Sequence, residues 1–177
     1  VTLRSIPARE DLDVVSAFQD PNHPQRKAIE SVGPGQVLVM DCRGDLRAAN
    51  GGGILTTRAM KRGAVGIVSD GAFRDSPEIG RMSFPVFAAG ASATISLAVH
   101  HAVDINVPIG CAGVPVFPGD ILVGDEEAEI VIACANSGGQ GCGLVLGDRF
   151  QERSAEFATL PGEPCESLGA GALRNRV

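Results

Sequence analysis

The residues best suited to chemistry stand in two short clusters. The first is Asn50-Gly51-Gly52-Gly53, directly ahead of a helical pattern. Free backbone N–H groups at a helix N-terminus, together with the helix dipole, make a site for a carboxylate or a phosphate. The glycines let a ligand approach the backbone closely. The stretch is neither GxGxxG nor a P-loop, since no GK[ST] follows, and a plain tight turn is the alternative reading. The second cluster is Asp70-Gly71-Ala72-Phe73-Arg74-Asp75. Arg74 carries a permanent charge and can donate to a substrate oxyanion. Asp75 can hold Mg²⁺ directly or through water, because magnesium keeps waters and takes few carboxylates. An Arg–Asp surface pair closing a loop is the alternative there.

Other chemistry-bearing residues read more plainly. His100-His101 lacks a second ligand pair at zinc spacing and suits a helix end hydrogen-bonded to backbone. Asp125-Glu126-Glu127 reads as a solvated hairpin tip, and the glycine-rich run Ser137 to Gly143 as loop. The five cysteines, Cys42, Cys111, Cys134, Cys142 and Cys165, form no CxxC and read as reduced thiols of a cytoplasmic protein. A Schiff-base mechanism needs a lysine, and the two present, Lys27 and Lys61, fall on helix surfaces by pattern.

The elements that position the two clusters follow from periodicity. Residues 1–6 alternate as a strand, and 8–22 read as a loop or short helical turn. Pro24 opens a helix through about Val32, with Ala28, Ile29 and Val32 on its apolar face. Residues 37–42 (VLVMDC) fit a buried strand. Ala48 to Gly53 is a glycine-rich loop, and Ile54 to Arg62 a helix with Ile54, Leu55, Ala59 and Met60 as its buried face, stopped by Gly63. Residues 64–69 return as a strand, with Asp70-Gly71 beginning the next loop. This is a βαβ unit with a right-handed crossover, so both clusters lie at one sheet end. Short strands follow at 85–88, 105–109, 114–117 and 121–123, with 129–133 pairing back as a hairpin. A further strand falls at 143–146. The expected core is Val37 to Val39, Ile67, Val68, Ile105, Val107, Ile121 and Val123.

With 177 residues the chain suits one compact domain, and 44% hydrophobic with 20% charged residues exclude a disordered one. A net charge of −6 argues against direct nucleic-acid binding. No apolar run is long enough to span a membrane, and no secretory signal is visible. The first residue is Val1 rather than Met, so the chain reads as a fragment or processed product. Texture divides it into a domain over 1–133 and an atypical tail over 134–177.

In combination, the stretch VLVMDCRGDLRAANGGGILTTRAMKRGAVGIVSDGAFRD resembles the signature of the RraA-like family. That family includes the regulator of ribonuclease E activity A and the 4-hydroxy-4-methyl-2-oxoglutarate aldolases. The segments TLRSIPARED, HHAVDINVPIGC and GVPVFPGDILVGDEE match it as well, so the resemblance covers about residues 1 to 133. It implies an α/β fold, a swivelling β/β/α-type domain, assembled as a homotrimer or a dimer of trimers. It implies that the backbone amides of Gly52, Gly53, Ile54 and Leu55 hold the carboxylate of a small 2-oxo acid. Arg74 would be the catalytic residue on the keto oxygen, and Asp75 the anchor of a divalent metal, Mg²⁺ or Mn²⁺. The second loop position is usually acidic in the aldolase members and serves the catalytic water or proton; here it is Gly53, which supplies neither acid nor base. The family's usual C-terminal amphipathic helix has no match in 134–177. Three functions stay open: a metal-dependent aldolase or decarboxylase releasing pyruvate, a non-catalytic regulator with a ribonuclease as partner, and an impaired homologue that only binds 2-oxo acids.

Overall fold

The computed structural model describes residues 1–124 and the strand segments Ile130–Ala133, Cys142–Gly143 and Leu173–Arg176. Its central feature is a mixed sheet of β1 (Thr2–Pro7), β2 (Val37–Asp41), β3 (Ala49–Gly51), β4 (Gly66–Phe73), β5 (Val86–Ala91) and β6 (His100–Ile105). The order is β3-β4-β2-β1-β6, with β5 on the other side of β4. β1, β2, β3, β4 and β5 pair in parallel, and β6 runs antiparallel to β1. Three helices connect them: α1 (Pro24–Ser31), α2 (Gly53–Lys61) and the short α3 (Ser76–Ile79). Beyond the sheet lie the hairpin β7 (Ile109–Cys111) and β8 (Val114–Val116), then β9 (Ile121–Gly124). β9 pairs antiparallel with β10 (Ile130–Ala133) and β12 (Leu173–Arg176), and β10 with β11 (Cys142–Gly143). Among the described residues no helix is long and apolar enough to cross a membrane.

Alternation along β2 divides the core in two. Leu38 and Met40 pack with Leu3, Ala28, Ile29, Val32, Ala59 and Phe73 on the face covered by α1 and α2. Val37 and Val39 pack on the opposite face with Val68, Phe87, Cys111, Val116 and Leu122. A sheet buried on both faces needs apolar residues at successive positions, which is why the run 37–40 is unbroken. The parallel neighbours β2 and β4 are the expected βαβ pair, with Leu38 beside Ile67 and Val39 beside Val68. Of the expected core, Ile105, Val107 and Ile121 are only partly buried, being at strand ends or in connections, and the side chain of Val123 lies outside the described residues.

Several boundaries differ from the sequence reading. The strand expected over 64–69 runs on to Phe73, so Asp70 and Gly71 lie inside β4 and not in a loop. The reason is a hand-over in the sheet: β2 pairs with Gly66 to Ser69, and β3 takes its place beside Ala72 and Phe73. Where β2 departs, the Asp70 carboxylate accepts the backbone N–H groups of Cys42 at 2.5 Å, Gly44 at 3.0 Å and Ala112 at 3.1 Å. A Cβ at Gly71 would come within 2.5 Å of the Cys42 Cβ, so only glycine lets that strand pass. Replacing Asp70 with alanine strands these amides without an acceptor. The expected cost is roughly 1–3 kcal/mol, read as a lower urea midpoint; an unchanged midpoint would remove Asp70 from this structural role.

The glycine-rich stretch is partly a strand, since Ala49 to Gly51 form β3. The expected strand 105–109 is instead the end of β6, a connection and the start of β7. The antiparallel pairing read for 121–123 with 129–133 is present between β9 and β10, with residue 129 outside the described residues. Of the strand expected at 143–146, residues 144–146 lie outside the described residues, as do Asp125-Glu126-Glu127 and the run 137–141.

Candidate functional site

β3 and β4 end side by side, and that brings the two clusters together. The Arg74 backbone N–H donates to the Gly51 carbonyl at 3.0 Å, tying the residue after β4 to the loop before α2. Gly52 is the N-cap of α2, in extended conformation. The Gly53 N–H donates to Asp75 Oδ2 at 2.9 Å. Asp75 itself adopts a left-handed backbone, φ 60° and ψ 29°, and its carbonyl accepts the N–H groups of Glu78 and Ile79 to start α3. Asp and Asn bear that conformation better than other non-glycine residues.

The loop's polar groups are unevenly used. The Asn50 carbonyl accepts from Gln25 Nε2 and the Gly51 carbonyl from Arg74. Gly53 N–H is engaged by Asp75, whereas the N–H groups of Gly52, Ile54 and Leu55 have no acceptor among the described residues. Occupied carbonyls and open N–H groups at a helix N-terminus suit an anion. These amides, with Arg74, line a cavity of about 380 Å³. Arg74 also borders a second cavity of about 360 Å³, onto which Asp75 opens.

Close contact explains why the loop is glycine. A Cβ on Gly51 would lie 2.4 Å from the Phe73 ring; one on Gly52 would lie 2.7 Å from Asp75 Oδ2 and 2.8 Å from Arg74 Cγ. Gly52→Ala is therefore expected to push Arg74 and Asp75 apart and weaken oxalate binding about tenfold or more, because a displacement near 1 Å disrupts a positioned site. Calorimetric titration checks this, and wild-type affinity in the variant would show that the close approach is unused.

The cavity has a polar wall that sequence reasoning missed. Gln25 from α1, Asn50 from β3 and Ser96 are buried together, with Ser96 Oγ donating to Asn50 Oδ1 at 3.1 Å. No spacing signals this, because the three come from separate elements. Ile54, expected in the core, is 80% exposed beside the cavity mouth; α2 buries Ala59, as expected, together with Gly53 and Thr56. Leu55 and Met60 are partly buried against the core, as the pattern suggests.

The other candidates are accounted for by structure. Asp41 accepts the N–H groups of Arg43 and Gly110, and burial raises the Asp70 carboxyl above its ordinary range, so both are backbone anchors. His100-His101 lies at the start of β6, not at a helix end. His100 Nε2 faces the Ala48 carbonyl at 3.2 Å, and His101 Nδ1 faces Asp13 at 2.7 Å. Burial pushes the Cys42 thiol up to about 12, which makes it a poor nucleophile. Lys27 and Lys61 are exposed on α1 and α2.

Asp75 suits a hard divalent cation. One carboxylate oxygen is held by Gly53, the other has no partner among the described residues, and the side chain is 42% exposed. Mg²⁺ and Mn²⁺ accept such a site, since one or two carboxylates and several waters complete their shell. Among the described residues no group of three or more His, Cys, Asp or Glu converges, so a closed all-protein cage is not what this site resembles.

Comparison with known proteins gives the same fold and names its relatives. The family model RraA-like, described as Aldolase/RraA, matches residues 12–131. A Thermus thermophilus protein named 4-hydroxy-4-methyl-2-oxoglutarate aldolase is 36% identical over 121 residues, 68% of this chain and 73% of that one. A Halalkalibacterium halodurans relative, given the same name provisionally, is 40% identical over 106 residues, 60% of this chain. That match spans only half of the relative's length. The crystal structure of Streptomyces coelicolor RraAS2, described as an unusual member of the RNase ES inhibitor RraA protein family, is similar with a TM-score of 0.57 and 28% identity. It covers 75% of this chain and 57% of that one.

Proposed function

The chain belongs to the RraA-like family, and from that membership we propose that it is a divalent-metal-dependent aldolase or decarboxylase acting on a small 2-oxo acid and releasing pyruvate. The observation that carries the reading is the convergence of open loop amides, Arg74 and Asp75 at one end of the sheet. The N–H groups of Gly52, Ile54 and Leu55 bind the substrate carboxylate. Gly53 shapes the loop through its bond to Asp75. Arg74 donates to the keto oxygen, where negative charge develops as the carbon–carbon bond breaks and a pyruvate enolate forms. Asp75 would hold Mg²⁺ or Mn²⁺, which when bound supplies Lewis-acid stabilisation of that oxygen. The exposed positions of Lys27 and Lys61 favour this route over a Schiff base. The substrate class is 4-hydroxy-4-methyl-2-oxoglutarate or oxaloacetate, and the working unit a homotrimer or dimer of trimers.

The test is pyruvate release from both acids with and without Mg²⁺, with light scattering on the same sample. Metal-dependent release from an oligomer is the expected result. The likeness to the RNase ES inhibitor family favours one second reading, a non-catalytic regulator that binds a ribonuclease. Inhibition of a ribonuclease without pyruvate release or oxalate binding would decide for it. Oxalate binding without release would instead identify a homologue that has kept the site and lost turnover.

A further inference from the structure

The cavity that holds the open loop amides has a wall built by α1. Gln25 is 5% exposed there, and its orientation is fixed. Its Nε2 donates to the Asn50 carbonyl at 2.5 Å and lies 3.4 Å from Asn50 Oδ1. A backbone carbonyl can only accept, so the amide nitrogen must face it and the amide oxygen must face away. Gln25 Oε1 has no partner among the described residues, yet it is not shut off from solvent, and the space that Gln25 borders is the cavity. Asn50 directly precedes Gly51 and Gly52, so this acceptor sits close to the carboxylate-binding amides. Arg26, the next residue, is exposed and lines the same cavity. Its Nη1 donates to the Phe18 carbonyl at 2.9 Å and the Gln19 carbonyl at 3.3 Å, while Nε and Nη2 have no partner among the described residues. The charged residues lining the cavity are Arg26 and Arg74, with no carboxylate beside them, in a chain of net charge −6.

We propose that this α1 wall is the subsite for the far half of the substrate: Arg26 pairs with a second carboxylate, and Gln25 Oε1 accepts a hydrogen bond from the 4-hydroxyl. The assignment rests on the aldolase reading above and narrows its substrates to 4-hydroxy-2-oxo dicarboxylates. A 2-oxo acid end occupies the open amides and Arg74, which leaves a second guanidinium and a free amide oxygen in the same cavity. A carboxylate satisfies the guanidinium with a charge-assisted hydrogen bond. The amide oxygen can only accept, so it selects a ligand group that donates. In a fully ionised 2-oxo dicarboxylate the hydroxyl is that donor. Where hydroxyl and second carboxylate share C4, two adjacent side chains of one helix turn can meet both. Oxaloacetate brings the second carboxylate without the hydroxyl. It would leave Gln25 Oε1 unpaired once water is displaced, and a site built to pair a hydroxyl discriminates against a ligand that lacks one. Gln25 moves no proton; it positions the hydroxyl and sets specificity.

The experiment has a binding arm and a turnover arm, each with Mn²⁺. The binding arm titrates oxalate, 2-oxopentanoate and 2-oxoglutarate by calorimetry into wild type, Arg26→Gln and Arg26→Lys. The last two ligands share a five-carbon chain and differ by the terminal carboxylate. Wild type should prefer 2-oxoglutarate by about three- to tenfold, a modest factor because Arg26 is exposed. Arg26→Gln should lose that preference, Arg26→Lys should keep part of it, and oxalate, which is too short to reach Arg26, should bind all three within about twofold. The turnover arm reads kcat/KM for 4-hydroxy-4-methyl-2-oxoglutarate against oxaloacetate in wild type, Gln25→Met and Gln25→Lys. Lysine keeps a donor for the Asn50 carbonyl and removes the acceptor. Both Gln25 variants should lower that ratio about fivefold or more while oxalate affinity holds. A 2-oxoglutarate preference that is absent from wild type or survives in Arg26→Gln would overturn the subsite and leave the aldolase reading intact. An unchanged substrate ratio in both Gln25 variants would do the same. Loss of oxalate affinity in both would make Gln25 a strut for the loop and overturn its assignment too. A wild type that prefers 2-oxoglutarate through Arg26 but releases no pyruvate would remove the aldolase reading, and the hydroxyl contact with it, while supporting the carboxylate contact.

Discussion

Asp75→Asn is expected to fold normally, bind Mn²⁺ at least tenfold more weakly and bring pyruvate release close to background. Asp75 serves three ends at once. It takes a left-handed backbone at φ 60°, it accepts the Gly53 N–H, and it keeps its other oxygen open. Asparagine preserves the first two, because it tolerates that backbone and offers a carbonyl oxygen to Gly53. What it removes is the negative charge that a hard cation requires. Asp75→Ala removes everything together and adds backbone strain of about 1–2 kcal/mol. Comparing the two variants by thermal unfolding and by paramagnetic titration of Mn²⁺ therefore separates loop support from metal binding. If Asp75→Asn retains wild-type Mn²⁺ affinity, Asp75 is only a strut for the loop and the metal assignment fails.

The parts of this protein legible in its sequence are those written in contiguous residues. The apolar run 37–40 announces β2, and Gly63, at φ +92°, ends α2 as a left-handed C-terminal glycine. The loop and the Arg–Asp pair could be placed at one sheet end because a βαβ unit leaves few alternatives. Asp70-Gly71 misleads for a physical reason. The dipeptide favours turns, but here the carboxylate replaces a strand that has left the sheet, and only the packed fold supplies the three amides that keep it there. Ile54 misleads the other way: an apolar residue in the first turn of a helix reads as core, yet α2 turns Gly53 and Thr56 inward. The polar wall of Gln25, Asn50 and Ser96 is a juxtaposition between elements, so no periodicity or spacing could reveal it.

Arg74→Ala should weaken oxalate binding by about 1.5–3 kcal/mol, roughly 10- to 150-fold, the value of a hydrogen bond to a charged partner. If turnover occurs as proposed, kcat should fall on the order of 10²- to 10³-fold as well, since the donor counts most where charge develops. The variant is well suited to the measurement. The Arg74 side chain is 47% exposed and its Nε stands 3.8 Å from Asp75 Oδ2, a weak surface pairing, so folding stability should change by no more than about 0.5 kcal/mol. The backbone bond to Gly51 that sets the loop does not depend on the side chain. Arg74→Lys should recover only part of the affinity, because an ammonium keeps the charge without the planar fork that can meet two oxygens. Should Arg74→Ala bind oxalate as tightly as wild type, the anion is not held at this loop. The open amides of Gly52, Ile54 and Leu55 would then need another explanation, and the ribonuclease-regulator reading would become the stronger one.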